Sequence, residues 1–83
     1  MERKVLVSEI VSFINQYHLI RNTENLSMAK GRIEEELNKS EFVEGLIHVL
    51  NVRTKRRKGI DTEKLITILI ELEKIRLELE YKK

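Results

Sequence analysis

The sequence predicts an all-α fold, a small bundle of about four helices in one domain over residues 1–83, with a long C-terminal helix. The chain has no Pro and only three Gly, while Glu, Leu and Lys together supply 33 residues. That composition lacks helix breakers and is rich in helix formers. Hydrophobic residues are 41% and charged residues 36% of the chain, which favours a globular domain over a disordered tail or a membrane span. Apolar residues also recur every three or four positions, the period of a helix face.

The first helix is expected from about residue 2 or 5 to His18. Its apolar positions are separated by four and three residues in turn and form one seam of Leu6, Ile10, Phe13, Tyr17 and Ile20. A turn is expected at 21–23, where Asn22 or Thr23 can cap the next helix through a side-chain oxygen.

The second helix has a narrower apolar stripe and an interior Gly31, which lowers its helix propensity by about 1 kcal/mol relative to Ala. We expect it to end at Asn38 and Lys39. Its stripe consists of Leu26, Ala29, Ile33 and Leu37.

The third helix is expected from Glu41 to about Lys55, with Ser40 as its N-cap and Gly59 as a C′-type glycine after its end. Acidic residues at its start and basic residues at its end complement the helix dipole. Its broad apolar face consists of Phe42, Val43, Leu46, Ile47, Val49 and Leu50.

The fourth helix is expected to begin at a cap formed by Asp61 or Thr62 and to continue to about Tyr81. It carries two apolar seams on different sides. The heptad seam is Leu65, Ile68, Leu72, Ile75 and Leu79, and the second seam is Ile66, Ile70, Leu77 and Tyr81. Two seams predict that the helix packs twice, once in its own core and once against a second copy of the chain.

A homodimer is therefore expected, because a domain of this size often completes its core by oligomerisation. The heptad seam is the more natural self-complementary surface, since its spacing suits a partner helix of the same kind. Which seam closes the core and which one pairs stays open. The residues expected at self-association are Leu65, Ile66, Ile68, Ile70, Leu72, Ile75, Leu77 and Leu79.

Five cations lie within six residues near the end of the third helix. We call them the basic patch: Arg53, Lys55, Arg56, Arg57 and Lys58. The formal net charge is +2, so the positive charge is local and not a property of the whole surface. The patch predicts contact with an acidic protein partner or with nucleic-acid phosphates. A solvated helix end without a partner is the alternative.

Other functional motifs are weak. The second and third helices have the spacing of a helix-turn-helix, but Glu41 and Glu44 would stand where a recognition helix meets DNA. Glu44 and His48 share a helix face without the further ligands that a metal site needs. The chain has no Cys and no Gly-rich phosphate loop. We therefore expect no enzyme activity, catalytic residue, metal site, cofactor or small-molecule substrate.

The sequence thus favours a non-catalytic regulatory module that binds a macromolecular partner, a protein, through a helical surface. A dimeric DNA-binding protein that contacts phosphates through the basic patch is the alternative. The N-terminal residues lack the long apolar segment of a signal peptide, and no segment approaches the length of a membrane span, so a cytoplasmic location is expected. Ten Ile against one Ala is typical of an AT-rich genome and indicates a bacterial or phage source.

Overall fold

The computed structural model describes residues 1–19 and 26–82, without the side chains of 26–29. Four helices and no strand occur in this part of the chain, which confirms the predicted all-α class. They are α1 (Arg3–Gln16), α2 (Leu26–Glu36), α3 (Ser40–Thr54) and α4 (Thr62–Tyr81). None of these helices is long and apolar enough to cross a membrane.

Some expectations fall outside this description. They are the turn at 21–23 with its cap at Asn22 or Thr23, the place of Ile20 in the first seam, and the side chains of Leu26 and Ala29 in the second stripe.

One hydrophobic core joins the helices. α4 packs against both α3 and α1, and α2 packs against α1. The buried core side chains among the described residues are Leu6, Val7, Ile10, Val11, Phe13, Ile14, Leu19, Leu37, Val43, Leu46, Leu50, Ile68, Leu72 and Ile75. The apolar seams predicted for the first and third helices supply six of these fourteen residues, whereas Val7, Val11, Ile14 and Leu19 are buried although they lie outside the predicted first seam.

The two seams of α4 have different environments. Ile68, Leu72 and Ile75 of the heptad seam are buried within the single chain, and Leu65 and Leu79 are partly buried against the same core. The second seam lies in solvent, with exposed fractions of 50% for Ile66, 50% for Ile70, 41% for Leu77 and 88% for Tyr81. Of the two seams between which the sequence left the choice open, the heptad seam is therefore the one that closes the core of the single chain.

The C-terminal end of α1 is closed by a Schellman motif, which the sequence analysis did not predict. The backbone N–H of Leu19 donates to the carbonyl of Ile14 at 3.0 Å, and that of His18 donates to the carbonyl of Asn15 at 3.4 Å. Ile14 and Leu19 are both buried in the same core, and apolar residues at these two positions commonly accompany this motif. His18 takes the left-handed position, with φ of 49°, where Gly is the usual residue.

The starts of α3 and α4 are capped differently. Asp61 caps α4, because its Oδ1 accepts a hydrogen bond from the backbone N–H of Lys64 at 3.1 Å. Ser40, the expected N-cap of α3, is instead its first helical residue, since the N–H of Val43 bonds the carbonyl of Lys39 at 3.1 Å. Lys39 is therefore the N-cap, and its side chain makes no capping hydrogen bond.

Gly59 is not the residue that ends α3. The helix ends at Thr54, and the N–H of Arg57 bonds the carbonyl of Thr54 at 3.2 Å. Gly59 follows in the connection to α4 with φ of 80°, a conformation that side-chain-bearing residues rarely adopt. Its role is thus to reverse the chain between two helices.

Because Ile68 is buried and Ile70 is exposed, truncation of each side chain to Ala is expected to change the free energy of unfolding by different amounts. We expect Ile68→Ala to lower the free energy of unfolding by about 2–5 kcal/mol, because it leaves a cavity in the core. Ile70→Ala should change it by less than about 0.5 kcal/mol, since its side chain is half exposed. Urea denaturation at submicromolar protein concentration measures both. Equal losses would contradict the assignment.

The left-handed conformation of His18 predicts a stabilising substitution. His18→Gly should raise the free energy of unfolding by about 0.5–1 kcal/mol, because a residue without Cβ avoids the cost of this conformation. His18→Ala is the matched control and should give no gain, since Ala keeps the Cβ. Thermal denaturation of the three proteins measures the difference, and a destabilised Gly variant would show that the motif does not form.

Candidate interaction surfaces

The basic patch occupies the last turn of α3 and the start of the connection to α4. All five of its side chains are exposed. No carboxylate among the described residues forms an ion pair with any of them. The C-terminal end of α3 offers only the partial negative charge of its carbonyl groups. The patch is thus a concentration of positive charge that the described part of the chain does not neutralise.

Thr54 interrupts the patch between Arg53 and Lys55, and its side chain is buried. Its side chain is 9% exposed, and its hydroxyl Oγ1 donates to the carbonyl of Leu50 in the preceding turn. This hydrogen bond satisfies the buried hydroxyl. Because Thr54 is held against the core, Arg53 and Lys55 on either side of it are directed to solvent.

Tyr17 joins the end of α1 to the connection between α3 and α4. One guanidinium nitrogen of Arg57, Nη1, donates to the backbone carbonyl of Tyr17. The backbone N–H of Asp61 donates to the Tyr17 hydroxyl at 3.0 Å. The Tyr17 ring in turn packs edge-on against Phe13, with 4.8 Å between the ring centroids. The connection between α3 and α4 is therefore attached to α1 at two points.

The sequence placed Tyr17 on an apolar seam and missed this role. The four-residue spacing of Phe13 and Tyr17 predicts their ring contact. Nothing in the sequence indicates which residues, forty or more positions later, bond the hydroxyl and the carbonyl of Tyr17. Arg57 likewise differs from the other patch residues, since it joins two parts of the fold.

Several cations elsewhere in the fold form ion pairs. The Lys64 ammonium lies 2.9 Å from a carboxylate oxygen of Glu9, and this hydrogen bond raises the pKa of Lys64. Arg76 bonds Glu73 and also Glu80, the latter at 2.7 Å. Its hydrogen bond to Glu73 lowers the pKa of Glu73 and raises the pKa of Arg76. The basic patch differs from these pairs because it combines five cations within six residues with no ion pair among the described residues.

The second seam is the other notable surface. It runs along the solvent side of α4, and from Ile66 to Tyr81 it spans about 22 Å at 1.5 Å per residue. Glu73 and Lys74 lie near its centre, where each forms an ion pair with a residue three positions away on α4. An exposed apolar strip of this kind on a small domain is typical of an interaction surface.

The remaining candidates do not assemble into a site. Glu44 and His48 are both exposed on α3. Among the described residues, no three His, Asp or Glu side chains come close enough together to hold a metal ion.

Comparison of the chain with protein-family models, with curated proteins and with solved structures found no match. The interpretation of the two surfaces therefore rests on their own geometry and charge.

The contact with Tyr17 predicts that one patch residue stabilises the fold. Arg57→Met should lower the free energy of unfolding by about 1 kcal/mol, because it removes a hydrogen bond from a charged donor at a partly solvated site. Arg56→Met is the matched control and should have almost no effect, since no hydrogen bond from the Arg56 side chain is seen among the described residues. Chemical denaturation compares the two. Equal stability of both variants would show that the Arg57 contact contributes nothing.

Proposed function

We propose that this chain is a non-catalytic regulatory module of the cytoplasm that binds an acidic surface of a protein partner through the basic patch. The observation that carries the proposal is the set of five exposed cations without an ion-pair partner in the described part of the chain. Charges arranged in this way raise the association rate with an oppositely charged surface and select against cationic partners.

A protein partner fits the surroundings of the patch better than a phosphate backbone does. Val52 stands next to the patch on α3 with 55% of its surface exposed. An apolar side chain among arginines is typical of protein interfaces, where Arg is enriched and apolar groups are buried at the centre. Contact with a phosphate backbone is electrostatic and does not require an apolar side chain.

Carboxylates at the other end of α3 support the same choice. Glu41 and Glu44 are exposed in its first half, so a polyanion lying along the helix would meet negative charge within about 16 Å of Val52. A compact acidic surface that covers only the C-terminal end of α3 avoids them.

The mechanism we propose is occlusion or recruitment of the partner by a patch of fixed geometry. Tyr17 attaches the segment that carries the patch to α1 through Arg57 and Asp61. A binding surface that is already ordered loses less conformational entropy when the partner binds.

The proposed active form is a homodimer that pairs through α4. The support for it is the second seam, whose Ile66, Ile70 and Leu77 remain exposed on a single chain. Pairing of two copies buries the same apolar surface on both.

A DNA-binding dimer is the second candidate. The density of the patch favours it, because five cations can contact several successive phosphates. No aromatic residue alternates with these cations, so contact with a duplex backbone is favoured over stacking on single-stranded bases.

The test uses three variants in affinity capture from a lysate of the native cell, with and without nuclease. Arg53→Glu/Arg56→Glu reverses two patch charges and avoids Arg57. Lys30→Glu/Arg32→Glu makes the same charge change on the exposed surface of α2 and is the matched control. Val52→Ser removes only the apolar contact.

A protein partner predicts capture that survives nuclease, falls at least tenfold in the patch variant, falls in Val52→Ser and persists in the control. DNA binding predicts capture that nuclease abolishes. It also predicts affinity for a 20-base-pair duplex that drops steeply with salt and is indifferent to Val52→Ser. Equal capture by the patch variant and the unmodified chain, with and without nuclease, would refute both functions.

A further inference from the structure

We propose that the second seam binds a second copy of this chain with the two α4 helices antiparallel and the two-fold axis passing between residues 73 and 74. This inference rests on the homodimer proposed above and supplies its orientation and register. It follows from the spacing of the apolar residues and from the position of the basic patch.

The spacing of the second seam is symmetric about its midpoint. Ile66 and Tyr81 lie equally far from the point between residues 73 and 74, and so do Ile70 and Leu77. When two copies of one helix pair in opposite directions about that point, Ile66 meets Tyr81 of the second copy and Ile70 meets Leu77 of the second copy. Only self-pairing requires this symmetry, because the same surface must be complementary to its own reverse.

The heptad seam cannot take this role in a folded chain, because Ile68 and Leu72 are fully buried in the core. The second seam is the side of α4 that remains accessible. It also lies on a 20-residue helix, which is a rigid support for a contact along its length.

The basic patch decides the direction of pairing. Lys58, its last residue, stands four positions before the first residue of α4. Parallel pairing would place two patches side by side, ten cations in total, and their mutual repulsion would oppose the contact. Antiparallel pairing separates the starts of the two α4 helices by about 35 Å at 1.5 Å per residue. That distance is several times the Debye length of about 8 Å at physiological salt.

The flanks of the seam are compatible with this arrangement. One flank carries Glu73 with Arg76, and the other carries Lys74 with Glu71. An antiparallel two-fold brings each flank against the same flank of the second copy. In this register Glu73 lies within about 1.5 Å, along the axis, of Glu73 of the second copy, and Lys74 likewise of Lys74. Arg76 and Glu71 of the second copy follow at about 3 Å along the axis, so each like-charge pair has opposite charges beside it and each flank is neutral in sum.

The orientation is tested by disulfide formation, since the natural chain has no Cys. The variants are Ile70→Cys and Leu77→Cys, oxidised separately and as an equimolar mixture. The antiparallel register brings residue 70 to residue 77 of the second copy, so the mixture should give a covalent dimer. Each variant alone should give almost none, because its two copies are offset along the axis by about 10 Å, beyond the reach of a disulfide.

Sedimentation velocity of the unmodified chain and of two lysine variants tests the dimer itself. Leu77→Lys should raise the dimer dissociation constant at least a hundredfold while the circular dichroism spectrum stays helical. Val5→Lys, at an exposed apolar residue of α1, is the matched control and should leave the constant within threefold.

The possible results distinguish an incorrect register from the absence of a homodimer. Crosslinking of Ile70→Cys with itself would overturn the antiparallel register and leave a homodimer in place. A monomer at high micromolar concentration would overturn the dimer altogether. Neither result changes the capture experiment on the basic patch, so failure of the partner-binding proposal is recognised independently.

Discussion

The burial of one side of α4 is the interaction on which the rest of the molecule depends. Ile68, Leu72 and Ile75 enter the same core as the buried residues of α1 and α3, and α4 packs against both of these helices. Burying each such side chain contributes roughly 1.5–3 kcal/mol, against a total stability of only about 5–15 kcal/mol for a typical domain. Without α4, the packing that joins α1 to α3 through this helix would be lost. The orientation of α4 also decides which of its two apolar seams remains on the surface.

The basic patch illustrates a second consequence of this arrangement. The segment between α3 and α4 must return past the end of α1, where Tyr17 bonds Arg57 and Asp61. One member of the patch is therefore committed to the fold, while the other four remain directed to solvent. The fold supplies a counter-charge for Lys64 and Arg76, but the described part of the chain supplies none for the patch.

Much of the fold was predictable because it follows from periodicity. The four helices, the buried seams of the first and third helices and the Asp61 cap each depend on residues within a few positions of one another. Which seam of α4 is buried was not predictable. Ile68 and Ile70 are the same type of residue, and only the tertiary packing distinguishes the buried one from the exposed one. The long-range contacts of Tyr17 and the left-handed conformation of His18 were also not predicted from the sequence. The first depends on distant residues, and the second uses a residue other than the usual Gly. The basic patch was recognised from sequence as a cluster of charge, but the uncompensated state of that cluster needed the positions of the carboxylates.

The concentration of the patch at the junction between α3 and α4 has a kinetic consequence. The described structure measures 38 × 25 × 21 Å, and five cations are concentrated near one junction between helices. A local concentration of positive charge of this kind would orient the molecule in the field of the proposed acidic surface before contact is made. Such steering acts on the encounter rate and fades as salt screens the field. In the proposed complex, short-range packing around the exposed Val52 would instead determine how long the two proteins stay together, so the two processes would depend on different residues.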